Sequence, residues 1–401
     1  MKNRDQYLNR LITLKDKSII KVITGVRRCG KSTLLDLFEE YLLSDGVKQK
    51  AVVRMNFESL EFDGIRDYMA LNKYVTQKIS SEKKTYILLD EIQTVAEWER
   101  AINSLRLDKR LDIYITGSNS QMLASELSSL LSGRFIELHM LPLSFTEFLD
   151  FNDYGKNGDL HELFNIYLER GGLPGLTELR DHESAISPYL SGIYNTIIMK
   201  DVIQRNEVRD PALLENLIRF MAGNIGSLVS SKKISDYLTS GGRKTSSETI
   251  DNYLRMLENA YVLYRCGRYD LKGKQRLKTQ GKYYIVDTGI RGELVGRRGQ
   301  DYGFTLENIV YFELRRRGFD LSVGSIHGHE VDFVATRSDK TVYYQVTATM
   351  LAEETREREL RPLKAIPDNY EKVILSMDRT PFTDYDGIKN VNIMDFLIEQ
   401  L

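Results

Sequence analysis

The chain has 401 residues, of which 42% are hydrophobic and 28% charged, and its formal net charge at pH 7 is −1. This length exceeds the size at which a single hydrophobic core stops growing, so we expect two or more domains, and the near-zero charge argues against a globally basic nucleic-acid-binding protein. Two cysteines are too few for a disulfide framework. The N-terminus has no apolar region, and no apolar run approaches the ~18 residues that a membrane span needs. These features predict a globular cytoplasmic protein.

The first predicted strand covers residues 19–23 and leads through the loop from Gly25 to Gly30 into a helical pattern. Strand, glycine-rich loop and helix form the context that a phosphate-binding loop requires. The glycines allow backbone N–H groups to converge on phosphate oxygens, Lys31 reaches the β- and γ-phosphates, and Ser32 offers a hydroxyl to Mg²⁺. The sequence therefore predicts ATP and Mg²⁺ as cofactors. The residues expected to bind the nucleotide are Gly25, Val26, Arg27, Arg28, Cys29, Gly30, Lys31, Ser32 and Thr33.

The second predicted strand, residues 86–89, ends in an acidic pair. We expect Asp90 to share the Mg²⁺ ion with Ser32, and Glu91 to orient and deprotonate the attacking water. Such a pair by itself is also typical of a helix cap, so the prediction depends on the phosphate loop that precedes it.

The third predicted strand, residues 112–116, ends in small polar residues at the same carboxyl edge of the sheet. Ser118 or Asn119 is predicted to contact the γ-phosphate or the attacking water, and a plain Gly/Ser/Asn turn is the equal alternative. Arg134, before the next apolar segment, is predicted to act as an arginine finger on a nucleotide, or else to pair structurally with an acid. Whether it acts on its own chain or on a neighbouring subunit is open.

The middle of the chain, residues 213–262, carries three helical patterns and is followed by two strand-like segments. This order predicts a winged helix, whose third helix would enter the major groove if DNA were the partner. The connecting segment from Arg265 to Lys282 is basic against a single acid, Asp270, which predicts a contact with DNA or RNA. The alternatives are a solvated hairpin kept soluble by its lysines, or a basic surface that meets an acidic domain of the same chain. Its basic residues are Arg265, Arg268, Lys272, Lys274, Arg276, Lys278 and Lys282.

The C-terminal quarter follows the order of elements of a DNA-cutting nuclease, with Glu307 on a helix and Asp332 on a strand. The next strand carries Gln345 and Thr347 where the chemistry needs a carboxylate and a cation. We therefore predict a nuclease-like domain without activity. One alternative is that Glu307, Glu330 and Asp332 bind a metal and retain residual cleavage. The other is that these acids are ordinary surface and cap residues of a packed sheet, which is favoured for Glu330.

These motifs together resemble those of the AAA-type ATPases of bacteria and archaea, related to the STAND NTPases, that carry a C-terminal nuclease-like domain. The matching segments are TGVRRCGKST, YILLDEIQ, ITGSNS, LSGRF, LPLSFTEF, RGGLPG, KYYIVDTGI and the EVDF region. The resemblance implies an α/β fold with a P-loop NTPase core and parallel sheet (residues 1–150), a helical lid (151–210), a winged-helix-like module (211–295) and an α/β restriction-endonuclease-like domain (296–401). It also implies that Gly171 to Pro174 form a nucleotide-sensing lid motif, for which a turn between helices is the alternative.

The function expected from this resemblance is an Mg²⁺-dependent ATP-hydrolysing switch that couples nucleotide state to the C-terminal half, with action on DNA as an open extension. Two alternatives are a nucleotide-regulated module that binds nucleic acid or protein with little turnover, and a metal-dependent DNA nuclease. A homo-oligomer or a protein partner fits each of these functions.

Overall fold

A computed structural model describes residues 2–79, 84–120, 133–154, 158–296, 302–379 and 383–399. The chain divides into two compact units, the first comprising Met1–Pro142 with Asn259–Tyr261 and the second Leu143–Glu258 with Val262–Leu401. Both units combine helices with a β-sheet, so the predicted α/β fold is confirmed. The four domain boundaries inferred from the sequence remain predictions, and the LSGRF motif begins outside the described residues.

The first unit contains a five-stranded, fully parallel sheet with the strand order β2-β3-β4-β1-β5. Its strands are β1 (Ile20–Thr24), β2 (Val52–Asn56), β3 (Thr85–Asp90), β4 (Leu111–Gly117) and β5 (Phe135–His139). Its helices are α1 (Asp5–Thr13), α2 (Lys31–Ser44), α3 (Tyr68–Lys78) and α4 (Trp98–Leu105), with short 3₁₀ turns at Gln49–Ala51, Leu60–Phe62 and Ile92–Thr94.

The central strands of this sheet are apolar runs because helices cover a parallel sheet on both faces. All residues of β1, β3 and β4 are buried, and the predicted strands agree with them to within one residue at each end. Since β1 lies between β4 and β5, the chain leaves its carboxyl end at the point where ligands bind in open α/β sheets.

A buried ion pair joins the neighbouring strands β1 and β4 near their amino ends. The ammonium of Lys21 on β1 donates to the carboxylate of Asp112 on β4 and, at 2.8 Å, to the carbonyl of Lys17. The hydroxyl of Tyr114 donates to the same carboxylate at 3.0 Å. A lysine is tolerated in this apolar strand because both charges are paired and hydrogen-bonded.

The second unit contains a mixed eight-stranded sheet with the order β12-β13-β11-β10-β9-β8-β6-β7. Its strands are β6 (Leu263–Asp270), β7 (Gln275–Ile285), β8 (Asp320–Ile326), β9 (His329–Arg337), β10 (Lys340–Val346), β11 (Glu371–Ser376), β12 (Asp384–Tyr385) and β13 (Ile388–Asn392). Its helices are α5 (Phe145–Phe151), α6 (Leu160–Arg170), α7 (Glu183–Thr196), α8 (Pro211–Gly223), α9 (Ser231–Ser240), α10 (Ser247–Asn259), α11 (Thr288–Val295), α12 (Tyr302–Arg316), α13 (Glu353–Lys364) and α14 (Ile393–Ile398), with a 3₁₀ turn at Pro174–Leu179 and a π-helix at Ile197–Gln204.

The three predicted helices of the middle segment are present as α8, α9 and α10, and the strands β6 and β7 form an antiparallel hairpin after them. This hairpin is part of the large sheet, because Arg268–Asp270 pair in parallel with Val323–Ser325 of β8. The sheet therefore runs across the predicted boundary at residue 295. Most of the basic segment is itself strand, which corrects the expectation that it connects two strands.

The RGGLPG motif lies against the side chain of Asp287, within the second unit. Gly172 N–H donates to Asp287 Oδ2 at 2.7 Å, and Asp287 Oδ1 accepts from Ile290 N–H at 3.1 Å to cap α11. Gly171 has a φ of +80°, and a Cβ atom there would stand 2.2 Å from Asp287 Oδ1. The glycines therefore allow the end of α6 to approach the start of α11.

We expect Gly171→Ala to lower the free energy of unfolding by about 3 kcal/mol, because it combines a disfavoured positive φ with a steric clash against a buried carboxylate. Chemical denaturation of the purified protein measures the change. Gly192→Ala is the matched control, since Gly192 is exposed in the interior of α7 and a Cβ atom there meets nothing within 4 Å. The control should be neutral or stabilising by up to about 1 kcal/mol. Equal stability of the two variants would contradict this account of the motif.

Candidate nucleotide-binding site

The loop between β1 and α2 has the conformation that a phosphate-binding loop needs. Gly25 has a φ of +144° and Gly30 a φ of +101°, both in a region that other residues rarely adopt. A Cβ atom at Gly25 would lie 2.2 Å from the carbonyl oxygen of Met140. Both glycines of the motif are therefore required by the backbone itself.

Lys31 opens α2 and is almost fully buried, with 3% of its surface exposed. Its ammonium donates to the carbonyls of Gly25, at 3.1 Å, and Val26, at 3.2 Å, and lies 3.7 Å from Glu91 Oε1. Among the residues that the structure describes, no side chain caps the N-terminus of α2. The loop thus presents a buried cation beside backbone N–H groups that have no side-chain acceptor, which is the donor set that a triphosphate binds.

A single hydroxyl on β4 positions both residues of the acidic pair. Thr116 Oγ1 donates to Asp90 Oδ1 and accepts from the backbone N–H of Glu91 at 2.9 Å. Asp90 is fully buried, and its other oxygen, Oδ2, accepts from Arg54 on β2 at 3.2 Å. Arg54 also donates to Asp36 on α2, at 2.9 Å.

Glu91 turns sharply out of β3, with a φ of +53° that is uncommon for a residue with a side chain. Its Oε2 accepts a hydrogen bond from the amide of Gln93, while Oε1 lies 3.7 Å from Lys31 Nζ. The strained backbone and the two partners hold the carboxylate beside the phosphate loop. This position suits a group that orients a water molecule next to a γ-phosphate.

The loop after β4 adds buried polar groups to the site. Thr24 and Gly117 are partners in neighbouring strands, so the buried side chains of Ser118 and Asn119 follow at the edge where Gly25 begins the phosphate loop. Among the described residues, Ser118 Oγ, Gln93 Oε1 and Arg54 Nη1 find no hydrogen-bond partner. Buried polar atoms without partners are costly, and a triphosphate with its Mg²⁺ ion and water supplies such partners. The donor set therefore fits ATP, with Ser32 and Asp90 as the residues that would hold the metal.

The other predicted loop residues have varied surroundings. Val26 and Cys29 are buried, and burial raises the pKa of the Cys29 thiol. Arg27 pairs with Glu58 at 3.0 Å, and Arg28 is exposed with a φ of +68°. In the first turn of α2, Ser32 is half-buried and Thr33 is exposed.

Arg134 lies apart from the other predicted catalytic residues. Its carbonyl accepts from the N–H of Ile20 at 3.0 Å, which places it beside the amino end of β1. The phosphate loop follows the carboxyl end of that strand, roughly 15 Å away at about 3.3 Å per residue. The structure thus separates Arg134 from the site of its own chain, and its action on a neighbouring subunit remains a prediction.

Three residues of this region were not found from the sequence. Thr116 and Arg54 position the acidic pair, and Arg4 supports the loop, since its buried guanidinium donates to the carbonyls of Cys29, at 3.1 Å, and Leu141, at 2.8 Å. The place of Thr116 at the end of a buried strand was the available signal. Arg4 precedes an ordinary amphipathic helix, and no local pattern marks it.

The basic segment is only partly available to a nucleic acid. Arg265, Lys272, Lys274 and Arg276 are exposed, whereas the side chain of Lys278 lies outside the described residues. Lys282 is buried among carboxylates, so its prediction as a DNA contact was wrong.

Within the described residues, no helix combines the length and apolarity that crossing a bilayer requires.

Comparisons with known proteins agree with this architecture. A family model described as an AAA domain matches residues 17–149, and a domain of unknown function, DUF8612, matches residues 161–301. The structure is similar to that of a Walker-type ATPase of Pyrococcus abyssi, with a TM-score of 0.53 and 18% identity over 73% of this chain and 96% of that chain. At this level of sequence identity, the similarity shows that the two proteins share a fold.

Two relatives match nearly the whole chain. A Haemophilus influenzae protein, described as uncharacterized, is 40% identical over 405 residues, which cover 100% of this chain and 99% of the relative. An uncharacterized protein of Methanocaldococcus jannaschii is 30% identical over 384 residues, covering 90% of this chain and 82% of the relative. The chain therefore belongs to the same family as the Haemophilus influenzae and Methanocaldococcus jannaschii proteins, and its residues 17–149 match an AAA domain.

Proposed function

We propose that the protein is an Mg²⁺-dependent ATPase that works as a nucleotide-controlled switch. The observation that carries the proposal is the convergence of Lys31 Nζ and Glu91 Oε1, 3.7 Å apart, at a glycine-shaped loop beside the buried carboxylate of Asp90. A cation for the phosphates and a base for the water then meet at one edge of the sheet, which is what phosphoryl transfer to water requires.

In the proposed reaction the backbone N–H groups at the start of α2 bind phosphate oxygens, and Lys31 exchanges its carbonyl partners for the β- and γ-phosphates. Ser32 and Asp90 would hold Mg²⁺, which when bound would neutralise charge on these oxygens. Glu91 orients the attacking water and accepts its proton as the new P–O bond forms, while the bond between the γ-phosphorus and the bridging oxygen breaks and ADP leaves. Thr116 holds the carboxylate of Asp90 and the backbone of Glu91, and the Ser118–Asn119 loop would lie beside the site of attack.

The switch is supported by a short segment that returns to the first unit. Asn259–Tyr261 belong to that unit, while the residues on either side along the chain belong to the second. The backbone N–H of Ser120 donates to the carbonyl of Asn259 at 2.9 Å, and the Tyr261 ring centroid lies 4.6 Å from that of His139. A shift of the Ser118–Asn119 loop on nucleotide binding would therefore reach the rest of the chain through this segment.

The finer architecture is part of the same proposal. Helices α8 to α10 with the β6–β7 hairpin would act as the winged helix, residues 151–210 as the lid, and residues 296–401 as a restriction-endonuclease-like domain without activity. The exposed basic residues Arg265, Lys272, Lys274 and Arg276 support a DNA contact through the hairpin. The rate of ATP hydrolysis, measured with and without short duplex DNA at two salt concentrations, tests this contact, because phosphate contacts weaken steeply with salt.

Equilibrium dialysis of the full chain against ATP and GTP, with and without Mg²⁺, tests the core of the proposal. We expect ATP to be retained, and Ser32→Ala to weaken the Mg²⁺-dependent part of the binding about tenfold or more. Ser44→Ala, at the exposed end of α2, is the matched control and should bind as the wild type does. Failure to retain either nucleotide in the presence of Mg²⁺ would refute the assignment.

A further inference from the structure

The second unit contains a buried lysine at the centre of three carboxylates. Lys282, on β7, is 2% exposed, and its ammonium lies 2.7 Å from Glu307 Oε1, 2.7 Å from Glu330 Oε1 and 2.9 Å from Asp332 Oδ1. These acids are the residues that the sequence indicated as the remains of a nuclease metal site. We refer to the four residues as the Lys282 cluster.

Three elements supply the cluster, and it lines a pocket of about 420 Å³. Lys282 comes from the edge strand β7, Glu307 from the buried helix α12, and Glu330 and Asp332 from β9. The lysine therefore connects an edge strand to the interior of the unit. Nothing near Lys282 in the sequence predicts this connection, because Asp332 is 50 residues away along the chain.

The charges of the cluster favour an ammonium group at its centre. Burial alone lowers the pKa of Lys282, but the charges of Asp332, Glu307 and Glu330 outweigh burial and hold that pKa well above its usual value. Burial and the nearby charge of Asp332 raise the pKa of Glu307, while the ammonium of Lys282 lowers it. Lys282 is therefore charged at neutral pH, and it is the cation that offsets these acids.

Asp332 and Gln345 make further hydrogen bonds within the protein around the cluster. Asp332 Oδ2 accepts from the backbone N–H of Val346 at 3.0 Å. Gln345 occupies the place of the missing metal-binding carboxylate, but its amide donates to Glu359 Oε2 at 2.9 Å and its oxygen accepts from Asp332 N–H at 3.3 Å. Gln345 is therefore engaged in holding Asp332 and Glu359.

We propose that the ammonium of Lys282 stands in the place of a divalent cation, so that the second unit carries an internal cation and takes up no Mg²⁺ or Mn²⁺ at this cluster. An ammonium has three N–H donors and no acceptor, and here it meets three carboxylates at hydrogen-bonding distance. A divalent ion would need those same oxygens at about 2.0–2.2 Å, which the ammonium prevents. The proposal is independent of the ATP site and gives the nuclease-like half a structural or binding role.

Mn²⁺ binding to the full chain in the absence of nucleotide, followed by electron paramagnetic resonance, tests the proposal. Lys282→Met keeps the length of the side chain and removes its charge. We expect this variant to bind Mn²⁺ at least tenfold more tightly than the wild type, and Mn²⁺ to raise its Tm without raising that of the wild type. Adding Asp332→Asn to Lys282→Met should abolish the gain. Lys340→Met, a change at an exposed lysine of β10, should bind Mn²⁺ as the wild type does.

Two results would overturn the proposal. One is a folded Lys282→Met variant that gains no Mn²⁺ affinity. The other is Mn²⁺ binding by the wild type that disappears in the single variant Asp332→Asn, since the cluster would then take a metal with Lys282 present. This second comparison decides the matter if Lys282→Met fails to fold, and equal Mn²⁺ binding by the wild type and Asp332→Asn supports the proposal.

Discussion

Replacing Lys31 with alanine is expected to lower ATP turnover by about 10²–10³-fold or more. The ammonium lies in a nearly water-free position, beside the carbonyls of Gly25 and Val26. Electrostatic stabilisation of a transferring phosphoryl group is strongest in such a site, because no water competes for the charge. ATP affinity should fall as well, since Lys31 contacts the ground-state phosphates too.

Steady-state hydrolysis by the purified protein measures this effect, and Lys50→Ala is its matched control. Lys50 is an exposed lysine in the short turn before β2, so its loss should leave turnover within about twofold of wild type. Thermal unfolding separates catalysis from folding, because the two carbonyls that Lys31 leaves behind contribute only about 1–3 kcal/mol. Unchanged hydrolysis in a folded Lys31→Ala protein would show that the loop is not the catalytic site.

Glu91→Gln is expected to lower turnover by about 10²-fold or more while ATP stays bound. The amide has nearly the shape of the carboxylate and can keep a hydrogen bond with Gln93, but it accepts no proton from the attacking water. The change also removes a negative charge 3.7 Å from Lys31 Nζ, which leaves the ammonium more available to phosphate. ATP affinity should therefore be equal to that of the wild type or higher.

Retention of labelled ATP on gel filtration, together with single-turnover hydrolysis, checks the prediction. Glu97→Gln is a close control, because Glu97 has the same φ of +53° and also precedes a helix but is exposed. It should hydrolyse ATP at the wild-type rate. Normal turnover by Glu91→Gln would mean that another group activates the water. Loss of both binding and hydrolysis would mean that Glu91 supports the fold of the loop.

Local patterns were sufficient for the nucleotide site. The run from Gly25 to Ser32 encodes its own conformation, because glycines at φ values of +144° and +101° and a lysine at the start of a helix are properties of neighbouring residues. The buried strands also follow from short apolar runs that end at a common edge. Asp90, Glu91 and Asn119 follow these strands at that edge, and their roles there remain predictions.

The remaining features depend on contacts between residues far apart in the chain. Because β5 pairs with β1, Arg134 lies at the amino end of these strands, opposite the end that carries the phosphate loop. Because β6 pairs with β8, the basic hairpin belongs to the large sheet. The sequence by itself determined the phosphate loop, the acidic pair and the α/β class. Only the tertiary structure decided that Thr116 holds Asp90 and Glu91 together and that Lys282 offsets the charges of Glu307 and Asp332. The physical reason is that a buried polar side chain is satisfied by whichever partner the fold brings to it, and sequence spacing does not record that partner.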